Sequence, residues 1–130
     1  PIVLPCRESI DETIALTKPF ADRGLTGVFH CFTGTLDQAN EIVAQGFKLG
    51  IGGVATFKNG GLEPVLENVE LSEMLLETDS PYLAPKPHRG KRNEPAYTKL
   101  VAEKLAEESN NELEKVGEVT SDNTHKLFQR

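Results

Sequence analysis

The chain has 130 residues, of which 20 are acidic and 14 basic, giving a net charge of −6, and 38% of its residues are hydrophobic. That is enough for one compact domain over residues 1–130 with a core of its own, and the acidic balance excludes a protein that coats nucleic acid by bulk electrostatics, so any anionic substrate must be met locally. No apolar run approaches the length needed to span a bilayer, and Pro1-Ile2-Val3-Leu4-Pro5 lacks the basic flank and length of a signal peptide, so a cytoplasmic protein is expected.

Position 1 is not a methionine, which predicts a cut through a longer polypeptide. Cys6 and Cys31 stand at the ends of apolar runs with no C-x-x-C spacing. Reduced core thiols are expected, not a disulfide or a structural zinc site.

In chain order, Ile2-Val3-Leu4 reads as a short strand, and Ser9-Ile10-Asp11-Glu12 as a capping box opening a helix with Ile10, Ile14, Phe20 and Ala21 inward. Pro19 should kink or shorten that helix, and Arg23-Gly24 closes it. A strand from Gly27 to Phe32 follows. Thr35-Leu36-Asp37-Gln38 is a second capping box, for a helix with Leu36, Ala39, Ile42 and Val43 on one face and a stop at Gln45-Gly46. Phe47 to Ile51 predicts a third strand, with Gly50, Gly52 and Gly53 allowing close backbone approach. A short helix around Leu62 to Glu67 precedes a fourth strand, Met74 to Glu77. A proline-punctuated loop from Ser80 to Pro95 leads to a helix reaching Glu108 with Tyr97, Leu100, Val101 and Leu105 as its stripe. A last helix is expected from Ser121 or Asp122 to Phe128. Strands alternating with helices predict an α/β fold with a parallel sheet built from βαβ units.

Chemistry concentrates at two strand ends. Met74-Leu75-Leu76-Glu77-Thr78-Asp79-Ser80-Pro81 is an apolar run that turns acidic just before a breaker, the way an α/β scaffold delivers a carboxylate into a site. Asp79 is the leading candidate, although a turn carboxylate would look the same. At i and i+2 of a strand, Glu77 and Asp79 would share a face. The strand-like run Gly27-Val28-Phe29-His30-Cys31-Phe32 leads into Thr33-Gly34 and places His30 where a metal ligand or base would sit, yet a lone histidine in an apolar strand is more often a core residue. Cys31, followed by Phe32, points to packing. The glycines at 50, 52 and 53 fit neither a phosphate loop nor a dinucleotide fingerprint. Lys86, Arg89, Lys91 and Arg92 place four of the fourteen basic residues within seven positions, directly after the Asp79 strand end. A charge run is usually a solvated loop, but a cationic loop over a carboxylate and a histidine suits a phosphate ester, with a divalent ion holding that anion beside Asp79.

His30-Cys31-Phe32-Thr33-Gly34, Leu49-Gly50-Ile51-Gly52-Gly53, Leu76-Glu77-Thr78-Asp79-Ser80-Pro81-Tyr82-Leu83, Arg89-Gly90-Lys91-Arg92-Asn93-Glu94-Pro95 and Asn123-Thr124-x-x-Leu127-Phe128 together resemble the TatD family of metal-dependent deoxyribonucleases. The resemblance spans nearly the whole chain. It implies the second half of a TIM (β/α)8 barrel of the amidohydrolase type, four parallel strands alternating with helices, since a full barrel takes about 250 residues. It implies hydrolysis of phosphodiester bonds in DNA or a related substrate, with Mg, Mn or Zn as one or two ions in a complete barrel. His30 matches a metal ligand. Asp79 matches the aspartate that binds metal and orients the attacking water, and Arg89, Lys91 and Arg92 fall where substrate phosphate would bind. Asn93-Glu94-Pro95 matches a helix cap.

Two departures from the family pattern matter. The His-x-His pair and a glutamate belong to the half that this sequence does not contain. At the fifth-strand ligand position, Leu4-Pro5-Cys6-Arg7-Glu8 offers Pro5, which has no lone pair for a metal. His30 and Asp79 alone would hold magnesium weakly, with several waters. Four βα units also leave open sheet edges, for which a homodimer or a complementing N-terminal half is the expected partner. The competing readings are a catalytically silent, truncated or degenerate relative that at most binds anions, and a barrel acting on a carboxylic ester or amide.

Overall fold

A computed structural model describes residues 1–5, 9–57, 61–77, 87–88 and 97–128. The elements are β1 (Ile2–Pro5), α1 (Ile10–Ala21), β2 (Gly27–His30), α2 (Leu36–Ala44), β3 (Lys48–Ile51), a 3₁₀ turn (Gly53–Thr56), α3 (Glu63–Asn68), a second 3₁₀ turn (Leu71–Glu73), β4 (Met74–Leu76), α4 (Thr98–Ser109) and α5 (Leu113–Phe128). The strands form one parallel sheet in the order β1-β2-β3-β4.

Register and the period of two divide the sheet residues between two faces. Ile2, Leu4, Phe29, Leu49, Ile51, Met74 and Leu76 belong to or pack on the cluster that includes Ile10 and Ile14 of α1, Ile42 of α2, Val65 and Leu66 of α3, Leu105 of α4 and Val116 of α5. Phe29 meets Phe47 edge-on, with ring centroids 5.7 Å apart. The alternate positions, among them Val28, His30, Gly50 and Leu75, take the opposite face.

Local signals account for most boundaries. Thr35 accepts from the Gln38 amide while the Gln38 side chain accepts from the Thr35 amide, a complete capping box for α2. Gly46 at φ +87° turns the chain into β3. Ser9 caps nothing with its side chain: its backbone is not extended, and its carbonyl accepts from Thr13 instead. Pro19 lies inside α1 only two residues from its end, so the missing amide shortens nothing. Phe20 is exposed, and Thr17 takes the inward place expected of it; its hydroxyl bonds Gln45 at 3.0 Å, joining α1 to the end of α2.

The largest departure from expectation is α5, which starts at Leu113, eight residues before Ser121. Gly117 and the β-branched Val116, Val119 and Thr120 depress intrinsic helicity there. Burial of Val116, Thr120 and Asn123 on one helical face offsets that preference. Asn123 donates to the carbonyls of Leu71 (2.8 Å) and Met74 (2.9 Å), pinning α5 to the entrance of β4.

Candidate metal centre

The C-terminal ends of β2 and β4 lie two strands apart, about 9.5 Å at ordinary strand spacing. His30 is the last residue of β2. The next residue, Cys31, turns left-handed at φ +47°, an uncommon conformation for a residue with a Cβ, and the chain then reattaches through the Phe32 amide to the Gly50 carbonyl at 2.7 Å. Glu77 directly follows β4, and its amide bonds the Ile51 carbonyl at 2.9 Å, carrying the ladder one step further.

From there the Glu77 side chain crosses β3. Its Oε2 lies 2.9 Å from His30 Nδ1 and accepts the Cys31 amide at 2.9 Å. A Cβ built on Gly50 would overlap this carboxylate, so the middle strand is bare where the outer two meet. Cys31 Sγ lies 3.5 Å from His30 Nε2, and a Cβ on Gly52 would stand 3.0 Å from that sulfur. The His30 side chain is 31% exposed and Glu77 16%, which leaves the imidazole approachable and the carboxylate mostly enclosed. Burial pushes the Glu77 carboxyl above its ordinary 4.5; the Cys31 amide, then the charge and hydrogen bond of His30, oppose that rise.

The His30 imidazole, the Cys31 thiol and the Glu77 carboxylate have ligand atoms all within 4.8 Å of one another, close enough to face a common divalent cation directly or for one group to hold another beside it. Imidazole and thiol suit zinc, whereas magnesium would want more oxygen. Pro5 pairs with His30 in the β1–β2 register.

Of the residues singled out from sequence, His30 stands in this cluster. Asp79, Arg89, Lys91 and Arg92 lie outside the described residues, as does Cys6. Within the basic stretch, His88 stacks on Tyr97 with ring centroids 4.0 Å apart and planes 7° from parallel, joining it to the residue just before α4. Two members of the cluster depart from expectation. Cys31 is partly exposed beside the imidazole instead of packed in the core. Glu77 carried its signal in the i, i+2 acidic pair, but sequence could not show it reaching past a glycine to the histidine. A groove of about 370 Å³ near Asn68, Leu71, Ser109 and Lys115 lies toward the entrance of β4 and shares no residue with the cluster.

Comparison with known proteins gives the family. The family described as TatD related DNase matches residues 1–129. A Bacillus subtilis protein named as the uncharacterized metal-dependent hydrolase YabD is 37% identical over 130 residues, covering 99% of this chain and 51% of that protein. The 3'-5' ssDNA/RNA exonuclease TatD of Edwardsiella piscicida is 35% identical, covering 99% of this chain and 52% of its own length. The crystal structure of YjjV, a TatD homolog from Escherichia coli, superposes with a TM-score of 0.92 at 30% identity, over 100% of this chain and 50% of that one. The chain therefore spans about half the length of the curated relatives it matches, and its four parallel strands alternating with helices are the fold of part of a TIM barrel. No helix among the described residues is long and apolar enough to cross a membrane. With the family match running through both strand ends that build the cluster, this chain belongs to the TatD-related DNase family.

Proposed function

We propose that residues 1–130 form the C-terminal half of a metal-dependent hydrolase that cleaves phosphodiester bonds in DNA or a related substrate. The observation that carries the reading is the meeting of His30 with Glu77 at the C-terminal end of a parallel sheet, the end at which barrel enzymes build their sites. His30 and Asp79 hold the divalent ion, which when bound supplies Lewis-acid stabilisation of the phosphate and acidifies water. The Asp79 carboxylate orients the attacking water and accepts its proton. Arg89, Lys91 and Arg92 bind the phosphate oxygens and balance the charge that builds on them in the transition state. The remaining ligands come from an N-terminal half or from a second copy that closes the open edges of β1 and β4.

A second reading, a silent relative that keeps the fold and at most binds anions, is favoured by Pro5 standing beside His30 in register. Calorimetric titration with Mn²⁺, paired with cleavage of a fluorescent single-stranded DNA, separates the two. Saturable binding that His30→Ala and Asp79→Ala each weaken, with cleavage lost in Asp79→Ala, is the expected result. Absence of both binding and cleavage, with the complementing half supplied, would establish the second reading.

A further inference from the structure

We propose that Glu77 is a positioning residue of the metal centre, holding His30 as the Nδ1–H tautomer with Nε2 as its coordinating nitrogen, and that Gly50 is the gap through which it reaches. The proposal rests on the reading of His30 as a metal ligand. With Glu77 ionised its carboxylate only accepts, so the nitrogen 2.9 Å from Oε2 carries the proton. The opposite tautomer would set two lone pairs against each other at that distance. With Nδ1 protonated, the neutral imidazole has its lone pair on Nε2, where the Cys31 sulfur lies 3.5 Å away. A carboxylate on the far nitrogen also raises the basicity of the liganding one and fixes the ring plane.

The carboxylate is itself held. One oxygen takes donors from two consecutive residues, the His30 ring and the Cys31 amide, and the left-handed turn at Cys31 belongs to the arrangement that presents that amide. The third part is steric. Gly50 pairs with Leu75 in β3–β4, and the glutamate two residues beyond Leu75 lies over it. Gly50 is not among the positive-φ glycines, so alanine there would strain no backbone angle; its methyl group would simply occupy the carboxylate's place. Gly50→Ala therefore displaces Glu77 without changing its charge.

The test is ¹⁵N–¹H correlation spectroscopy of the imidazoles in the metal-free full chain, with His30 assigned by His30→Gln, followed by Zn²⁺ titration. The wild type is expected to show the Nδ1–H form at His30. Glu77→Gln keeps an acceptor oxygen and should retain it, whereas Glu77→Ala and Gly50→Ala should both shift His30 toward Nε2–H. Zinc affinity should fall about 10- to 100-fold in Glu77→Ala and Gly50→Ala and much less in Glu77→Gln. A purely structural glutamate would lower stability while leaving tautomer and affinity alone. An Nε2–H tautomer in the wild type would overturn the proposal without any variant, and so would unchanged affinity in a folded Glu77→Ala. Failure of the underlying reading is separately visible: His30→Gln would then bind zinc as the wild type does.

Discussion

Replacement of Asn123 probes the joint that sets the height of β4, and with it the starting point of Glu77. The side chain is 8% exposed, and both of its amide hydrogens are used, on the carbonyls of Leu71, which opens the turn Leu71–Glu73, and of Met74, which follows it. Asn123→Ala leaves two buried acceptors without this donor, at roughly 1–3 kcal/mol each; water entering the vacated space recovers part, so about 2–4 kcal/mol is expected. Asn123→Asp preserves the shape but turns an oxygen toward each carbonyl and buries a charge, so it should cost more, about 3–5 kcal/mol. For a chain of 130 residues this is roughly 4 °C of melting temperature per kcal/mol. Urea denaturation followed by circular dichroism reads both variants. As pH falls toward about 4 the buried aspartic acid takes up a proton and regains one donor, so its deficit relative to wild type should narrow over that descent and level off below it. The reasoning is refuted if the aspartate variant is no worse than alanine at neutral pH, or if either lies within about 0.5 kcal/mol of wild type.

Phe29→Ala empties the fully buried centre of the sheet and removes the edge contact to Phe47, and should lower stability by about 3–5 kcal/mol in the same assay; a loss below about 1.5 kcal/mol would mean that the core refills. In metal-free protein, the native Glu77 carboxyl keeps its proton above the ordinary 4.5 at which the unfolded chain releases it. Its stabilising contribution is therefore complete below that value and is lost as pH rises through the native one. Urea titrations of wild type and Glu77→Gln across that range should diverge with pH, and a constant difference would contradict the burial argument. The Lys104–Glu108 contact in α4, 2.9 Å long, holds the glutamate below 4.5. Its contribution, a few tenths of a kcal/mol after screening, is present above that value and lost as pH falls through the lowered one; a double-mutant cycle at low and high salt checks it. Leu16→Gln, at a residue 71% exposed, should change stability by less than about 0.5 kcal/mol, and a larger loss would mean that this face of α1 is covered.

The alternation of strand and helix was legible because each unit carries its own punctuation: the Thr35–Gln38 box, the Gly46 stop and the apolar runs at 27–30, 48–51 and 74–76 depend on neighbours within a few residues. Ser9 failed as a side-chain cap although its motif was correct, because its backbone does not take the extended conformation a box requires. The start of α5 was hidden because tertiary burial of Val116 and Thr120 outweighs weak local propensity, a force invisible in a window of residues. His30 was legible as a strand-end histidine. Its partner was not, since Glu77 is separated from it by 47 positions and the two meet only because position 50 lacks a side chain. The left-handed Cys31 had no sequence signal at all: glycine or asparagine announces that conformation, cysteine does not.

Every strand lies beside its neighbour in the chain, with Ile2 against Gly27, Val28 against Lys48 and Leu49 against Met74. Each pairing therefore closes a loop of only about 20–25 residues, and none waits for a distant segment, so the entropic toll of closure is similar and modest at each stage. Such an order suits assembly from one end during synthesis, with each new strand docking on a finished edge as it emerges from the ribosome. The histidine would then be in place well before the glutamate that holds its ring, and the centre would mature only when the last strand arrives.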